Sequence, residues 1–483
     1  MKRNVWSWLL LLVLMVSFGA CSSDSDNDKA GKGKGTTYLS IVIGFPKEGQ
    51  GELRAGNSDY NPAGTFFGRT WLNTIDLYIL SADGSTLLGS QRYSATDIVY
   101  TLDAQGNAIV EPKDPFLTNS GDKIVYVIIN SPQPLLAAAP TATDYLSIAG
   151  GSPTLADLAS VQGGLDLVMM TGQSGVTGIA GGVTADDVKA GKNRVKINAT
   201  RIASRAIVTT TAPANVVDKN GILLGTISAI TYSVAQGGNA VYYTPDTLTY
   251  KTWGYDYLPG ADYAATALQY YDYNDLLNTT DVVPANPSTP SDPRAFLNLN
   301  GKFLLENTHK YGTDGGNYRK GNTAYVLVRG TFVPDPTAII DGGTLTSGTF
   351  YVGETDGKIY SSIAAAQNPG GGGANPQDVK TYQNGKVLYY VWLNPDVITH
   401  PLNSPVIRNN IYHININSFK TIGFNWNPLV PTGATNPDPK PTIGGIEPNS
   451  PILPVDPLSL DETYMSVDIT VLSWSVHSFG VDL

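Results

Sequence analysis

The chain has 483 residues, of which 42% are hydrophobic and 15% charged, with a formal net charge of −10. That balance suits globular domains and not disorder, and an acidic chain with no basic run argues against nucleic acid as a partner. A single Cys excludes a disulfide framework and cysteine-built zinc sites. With 51 Gly, 31 Pro and 27 Tyr, the composition points to many short strands joined by turns, and the length to two or three domains.

The first residues are read as a targeting device. Lys2 and Arg3 precede an apolar stretch, Trp6 to Val16, that is too short for a stable membrane span. It runs into Ser17-Phe18-Gly19-Ala20-Cys21, a pair of small residues before the only Cys. This is the pattern of a lipoprotein signal, with 1–20 removed and the Cys21 thiol acylated. Two or three buried acyl chains, at about 0.8 kcal/mol per CH₂, hold a protein firmly at a membrane. An acidic spacer, Ser22 to Asp28, and a Gly/Lys linker over 29–35 follow.

Leu39, Ile41, Ile43 and Phe45 alternate with smaller or more polar residues, which predicts a strand over 37–45 with one buried face. A polar, Gly-rich loop follows, from Pro46 to Gly64, containing one Arg, Arg54, before Ala55. Further strands are predicted at Ile75–Leu80, Ile98–Leu102, Ala108–Val110, Lys123–Asn130, Arg194–Ile197 and Ala206–Thr211. The Ala/Leu-rich stretch 135–167 is the best place for one or two short helices. Beyond a boundary set near residue 200, strands are predicted at Leu223–Val234, Ala240–Tyr243, Ala324–Val333, Thr349–Val352, Val387–Leu393 and Ile411–Ile416. Segment 282–293 reads as a Pro-rich loop and Pro369–Gly373 as a flexible tip.

From Pro428 to Pro457 there are nine prolines in thirty residues. The expectation is an extended spacer without a core. After it Met465, Val467, Ile469 and Val471 alternate with Ser466, Asp468 and Thr470. The phase then slips through Trp474 and Val476 to Phe479, Val481 and Leu483, which suggests a second short strand or a bulge. The expected architecture is therefore all-β with a few short helices: a signal peptide (1–20), a lipidated propeptide with a removable first strand (21–54), β-sandwich domains over 55–200 and 201–430, a tether (431–457) and C-terminal donor strands (458–483).

The two ends offer matching sets, Leu39/Ile41/Ile43/Phe45 and Met465/Val467/Ile469/Val471. A trypsin-like cut after Arg54 would free the first strand and leave a hydrophobic trench between unpaired backbone groups. The tail of a neighbouring molecule could refill it, a known mode of recognition by strand addition. Such head-to-tail contacts do not close, so they build filaments. The competing reading is that the tail pairs within its own second domain.

Catalytic and metal signatures are not found. His309, His400, His413 and His477 lack zinc-type spacing, and no P-loop or G-x-S-x-G elbow occurs. His413 is expected to be a packed or hydrogen-bonded strand residue. Asp24, Asp26 and Asp28 lack the Gly and distal Glu of a calcium loop. Tyr270, Tyr271 and Tyr273 read as surface aromatics, with sugar stacking as the sharper alternative. No cofactor, no metal and no enzymatic activity are expected.

Long runs carry a family resemblance: Gly301–Leu305, Asn307–Lys310, Arg319–Arg329, Gly385–Tyr390, Trp392–Pro395, Arg408–His413, Gly423–Pro431 and the tail to Leu483. With these the chain resembles the type V pilin, or fimbrillin, family of Bacteroidales, closest to the shaft subunits of the short fimbriae of Porphyromonas. The N-terminal half matches in its lipobox, in Arg54-Ala55-Gly56 and in scattered strands. The resemblance implies two transthyretin-like β-sandwiches. It implies a precursor exported through the acidic spacer to the outer cell face, cleavage between Arg54 and Ala55 by an Arg-specific gingipain-type protease, and polymerisation by the C-terminal segment. It also implies anchor and tip subunits as partners, with adhesion to host or bacterial surfaces and biofilm formation as the outcome. Two alternatives remain: a monomeric glycan-binding surface lipoprotein, and an anchor or tip subunit.

Overall fold

The computed structural model describes residues 36–44, 71–102, 108–211, 215–260, 269–271, 301–312, 315–394, 402–425, 454–458 and 465–473. These are almost all strand and turn, and they form two β-sandwich domains. Helices are short: Leu155–Leu158 and Ala185–Lys189 in the first domain, Ile363–Ala366 in the second.

In the first domain one strand path runs Leu87–Ser94, Thr74–Ser81, Gly121–Ile129, Met170–Gln173, Arg194–Arg201, Thr37–Gly44, Ala108–Pro112, Ile98–Leu102. The path folds over on itself. Ile75, Leu77 and Ile79 from one arm meet Leu39, Ile41 and Ile43 from the other in a single core, with Val125, Val127, Val195 and Ile197. Alternate positions therefore fill the inside of the sandwich, as period-two patterning requires.

The second domain follows the path Lys386–Trp392, Tyr325–Pro334, Leu223–Gly238, Lys302–Leu305, Ala203–Thr210, Asn410–Phe419, Met465–Ser473. A three-stranded sheet of Ile359–Tyr360, Phe350–Gly353 and Val379–Tyr382 contributes Phe350, Ile359 and Tyr382 to the same core. Phe350 and Tyr382 stack there at 4.6 Å. Each domain sets its first strand parallel to a late one: Thr37–Gly44 beside Arg194–Arg201, and Ala203–Thr210 beside Asn410–Phe419, the strand before the tail.

Only Ile202 separates the last strand of the first domain from the first strand of the second. Tyr78, Tyr126 and Ile128, on the outer face of the first sandwich, join Ile202, Ala203, Ile207, Leu305 and Ile411 in a core shared by both domains. Across it Arg205 faces Asp166 at 3.4 Å, with both side chains closed to solvent. The guanidinium also lies 5.5 Å from the centre of the Phe303 ring. Thr171 donates to the Tyr243 carbonyl (2.6 Å), and Tyr145–Ser147 pairs with Ala240–Tyr242. The domains are thus joined by a core, a buried ion pair and a small sheet.

Stretch 135–167 holds one short helix, as expected, and beside it the strands Tyr145–Ser147, Ala159–Gln162 and Leu165–Val168, whose Ala159 and Val168 pack into the shared core. One expectation is corrected. Pro369–Gly371 is a short 3-10 turn capped by the Asn368 side chain, an ordered tip and not a loose one.

Candidate functional site: the two terminal strands

The opening strand Thr37–Gly44 is an interior strand. Residues Ser40 to Gly44 run parallel to Arg194 to Asn198, Thr37 to Leu39 run antiparallel to Thr118 to Phe116, and Ile43 pairs with Val110. Leu39, Ile41 and Ile43 are completely buried. The alternation that predicts the strand thus supplies a large part of the first domain's core.

The turn spanning 180–193 holds its beginning. The Thr37 hydroxyl donates to the Ala180 carbonyl (2.7 Å) and accepts from the Val183 amide (3.0 Å). The Tyr38 amide donates to the Val183 carbonyl (3.0 Å), and the Ser40 amide to the Asn193 carbonyl (3.1 Å). The Asn193 side-chain amide closes the clamp on the Tyr38 carbonyl at 3.0 Å. Asn193 has φ 48°, a left-handed conformation that Asn tolerates better than most residues.

The tail strand Met465–Ser473 lies at the end of the second domain's path, antiparallel to Asn410–Phe419. Its register sets Val471 opposite Tyr412, Ile469 opposite Ile414 and Val467 opposite Ile416, and Met465 pairs with Phe419. Tyr412, Ile414, Ile416 and Phe419 are core residues. Among the described residues the tail strand has this one neighbour only. In this form of the chain, then, the tail is paired within its own second domain, the competing arrangement named above. Cys21, Phe45, Arg54, Ala55, Trp474, Val476, Phe479, Val481 and Leu483 lie outside the described residues.

A family model, "Major fimbrial subunit protein type IV, Fimbrillin, C-terminal", matches residues 380–479. Two minor fimbrium subunits Mfa1 of Porphyromonas gingivalis are each 31% identical over 485 residues, covering 92% of this chain and 93% of theirs. The chain belongs to the fimbrillin family. It is a fimbrial subunit of the Mfa1 type. Among solved structures, a fimbrilin (fimA) from Porphyromonas gingivalis W83 aligns with 92% of this chain and 99% of its own at TM-score 0.43 and 14% identity. The tip fimbrial protein Mfa3 of Porphyromonas gingivalis aligns with 79% and 95% at TM-score 0.35 and 10% identity.

Of the expected free spacer 431–457, residues 431–453 lie outside the described residues, and the described end is not free. Pro454 to Leu458 is seated on the second domain. The Gly321 amide donates to the Pro454 carbonyl and the Lys320 amide to the Asp456 carbonyl, both at 2.9 Å. Leu458 is buried among Tyr318, Tyr325, Tyr390 and Trp392. A Cβ at position 321 would collide with Pro454, so glycine is required for this approach. Proline richness hid the seat, because a Pro-rich stretch can lie flat on a surface as well as cross solvent.

His413 is a packed strand residue, as expected. Its Nε2 lies 2.7 Å from the Thr209 hydroxyl, which donates to Asn415 Oδ1 (2.9 Å). Burial lowers its pKa from 6.5 to about 4. His309 is also lowered to about 4 by burial, against hydrogen bonds that raise it; its Nε2 donates to the Asn322 carbonyl at 2.8 Å. Both imidazoles are held neutral by desolvation and serve packing. Among the described residues no group of three or more His, Cys, Asp or Glu could hold a metal ion. The polar residues that sequence reasoning passed over join distant segments: Arg205 to Asp166, and Arg408 to Glu306 and the Tyr242 carbonyl. A lone Arg inside the apolar run Ile202 to Val208 was the available signal, since a buried Arg needs a partner.

Proposed function

We propose that this chain is the shaft subunit of a surface fimbria. It is exported as a precursor acylated at Cys21 and held at the outer membrane. An Arg-specific gingipain-type protease cuts it between Arg54 and Ala55, and the opening strand then leaves. The C-terminal strand of one subunit fills the vacated slot of the next, and the growing fibre joins anchor and tip subunits. The fimbria serves adhesion to host or bacterial surfaces and biofilm formation.

One observation supports this reading: among the described residues the opening strand has partners on both sides, whereas the tail strand has a partner on one. Removing Thr37–Gly44 leaves two open rails and a trench where Leu39, Ile41 and Ile43 stood. Burying aliphatic side chains there again contributes about 1.5–3 kcal/mol each, as an upper bound. Ladder hydrogen bonds add about 0.5–1.5 kcal/mol each. A tail that leaves its own edge gives up one ladder and gains two, so exchange runs downhill once the slot is open.

The test is expression of the mature form from Ala55, with and without residues 464–483. The intact form should give heat-labile ladders on a gel and the truncated form monomers. Monomers from both would remove the exchange mechanism and favour permanent self-pairing. Arg54→Ala should leave lipid-bound, unpolymerised precursor; normal fibres from it would place the cut elsewhere.

A further inference from the structure

The opening strand begins Thr37-Tyr38-Leu39-Ser40-Ile41-Val42-Ile43, and the tail reads Thr463-Tyr464-Met465-Ser466-Val467-Asp468-Ile469. Thr, Tyr, Ser and the final Ile coincide, and Leu/Met and Ile/Val are conservative pairs. The alignment needs no gap. It also goes further than apolar alternation, because the shared Thr falls where the first domain makes a side-chain contact. Thr37 is the residue whose hydroxyl bridges the Ala180 carbonyl and the Val183 amide. Tyr38 and Ser40 are the residues whose amides bond to Val183 and Asn193.

We propose that Thr463–Ile469 of one subunit docks on a second copy of this chain in the register of Thr37–Ile43, with Thr463 as the pin that sets the register. This rests on the exchange reading above and specifies its contact. The turn 180–193 is then the receiving surface, and its ligand is a Thr-Tyr strand terminus of the same protein.

Register needs such a device. A slip by one residue turns every apolar side chain to the wrong face and is excluded by burial alone. A slip by two keeps the apolar face inward, so a trench lined by aliphatic groups discriminates against it weakly. Only the ends and the exposed face distinguish the two. In the proposed register Thr463 restores both hydrogen bonds of Thr37; shifted by two it leaves the Val183 amide and the Ala180 carbonyl without the hydroxyl.

The exposed face agrees. In the opening strand Val42 is opposite Lys196. In the proposed register Asp468 takes that place, with Ser466 opposite Arg194 and Thr470 opposite Asn198. Lys196 is exposed and faces an uncharged residue in the precursor; in the assembled form it meets a carboxylate. On its own domain Asp468 is opposite Asn415, an uncharged residue. The tail therefore carries an ionic match for the acceptor slot that its cross-strand partner Asn415 does not supply, a small term for an exposed pair but one that depends on register.

The mature form from Ala55 contains no cysteine, since the only one is Cys21, so engineered thiols report without background. Asp468→Cys is combined in turn with Lys196→Cys, Arg194→Cys and Asn198→Cys, and assembled material is mildly oxidised. Trapped dimers at 196 should exceed those at 194 or 198 at least several-fold. Dominant trapping at 194 or 198 would overturn the register while leaving strand exchange in place, and ladders without trapping at any of the three would overturn both register and strand direction. Failure of all the chains to form ladders removes exchange itself, and the register with it. A second variant tests the pin: Thr463→Val should speed loss of the ladder on heating, on the order of tenfold, because a backbone donor loses its partner. Thr463→Ser should restore the original rate. An unchanged rate in Thr463→Val would show that the hydroxyl does not set the contact.

Discussion

The two terminal strands carry nearly the same apolar pattern and occupy opposite situations. The opening strand is threaded through the middle of the first sandwich, with Leu39, Ile41 and Ile43 closed to solvent and partners on both sides. Among the described residues the tail strand lies along an edge and pairs with Asn410–Phe419 alone. A similar pattern therefore occupies an interior slot at one end of the chain and, among the described residues, an edge at the other. Under the exchange proposed above, the difference would give assembly a direction, because the slot has two neighbouring strands where the resting edge has one.

The largest effect should come from placing a charge in each strand. Val467→Asp combined with Ile469→Asp in the mature form should abolish ladders while the purified monomer keeps its far-UV spectrum and melts cooperatively. Ile41→Asp in the uncleaved precursor should instead prevent folding of the first domain, since an unpaired carboxylate would enter a closed core at a cost of several kcal/mol. If both changes proved equally harmful to folding, the contrast between interior and edge would be lost.

The junction of the two domains can be broken separately. Arg205 and Asp166 are both fully enclosed. Removing one partner of such a pair strands the other, so Asp166→Asn should cost about 3–5 kcal/mol, read by denaturant unfolding. The ion pair of Arg92 with Asp76 is a useful reference, because Arg92 remains about one-third exposed there. If both substitutions cost the same, the closed junction would not be the special feature it is taken to be.

Much of the strand pattern could be read from the residues. Thr37–Gly44, Thr74–Ser81 and Gly121–Ile129 announce themselves because each buries a regular apolar set. Leu87–Ser94 was passed over, since its polar residues line the rim of the sheet and only Tyr93 is buried. The Ala/Leu stretch yields the short helix expected of it, Leu155–Leu158, but its strands were not legible, because their apolar residues fill a core between domains, which has no local period. The tail's alternation was legible, but its place was not, because an apolar face fits any trench of the right length. The Asp166–Arg205 contact spans 39 residues in sequence, and nothing near either residue advertises the other.

Acid should test the edge more gently. His413 stands on the strand that holds the tail, in register with Thr470. Its pKa is about 4 in the folded chain against 6.5 for the free side chain. The unfolded chain thus takes up the proton first as pH falls. The stabilising contribution is full above about pH 6.5 and is lost progressively toward pH 4, amounting to at most about 3 kcal/mol. His309 has the same direction and window. Asp83 and Asp187, lowered to about 2 by hydrogen bonds to hydroxyls, backbone amides and Lys192, lose their contributions only below that range. His413→Gln should flatten part of the stability profile between pH 6.5 and 4, and His309→Gln another part. A profile unchanged in both variants would mean that neither imidazole is held neutral by burial.

The seat of Pro454–Leu458 sharpens the comparison at its finest scale, because it determines how far the tail can travel. From Leu458 to Met465 the chain spans at most about 25 Å when extended. If the seat opens, the chain beyond Asn425 becomes the leash and reaches several times farther. Leu458→Ala should cost about 1.5–3 kcal/mol locally, through lost contact with Tyr318, Tyr390 and Trp392. Amide exchange over 454–458 should then rise in the monomer without a matching fall in the stability of the first domain. The apolar positions of the tail strand are untouched, so ladders should still form. Their subunit repeat should stay regular if the seat opens during assembly anyway, and become irregular if the seat remains closed in the fibre and positions the strand. Gly321→Ala, which pushes on Pro454 from the other side, should reproduce whichever result Leu458→Ala gives, since both act on the same contact.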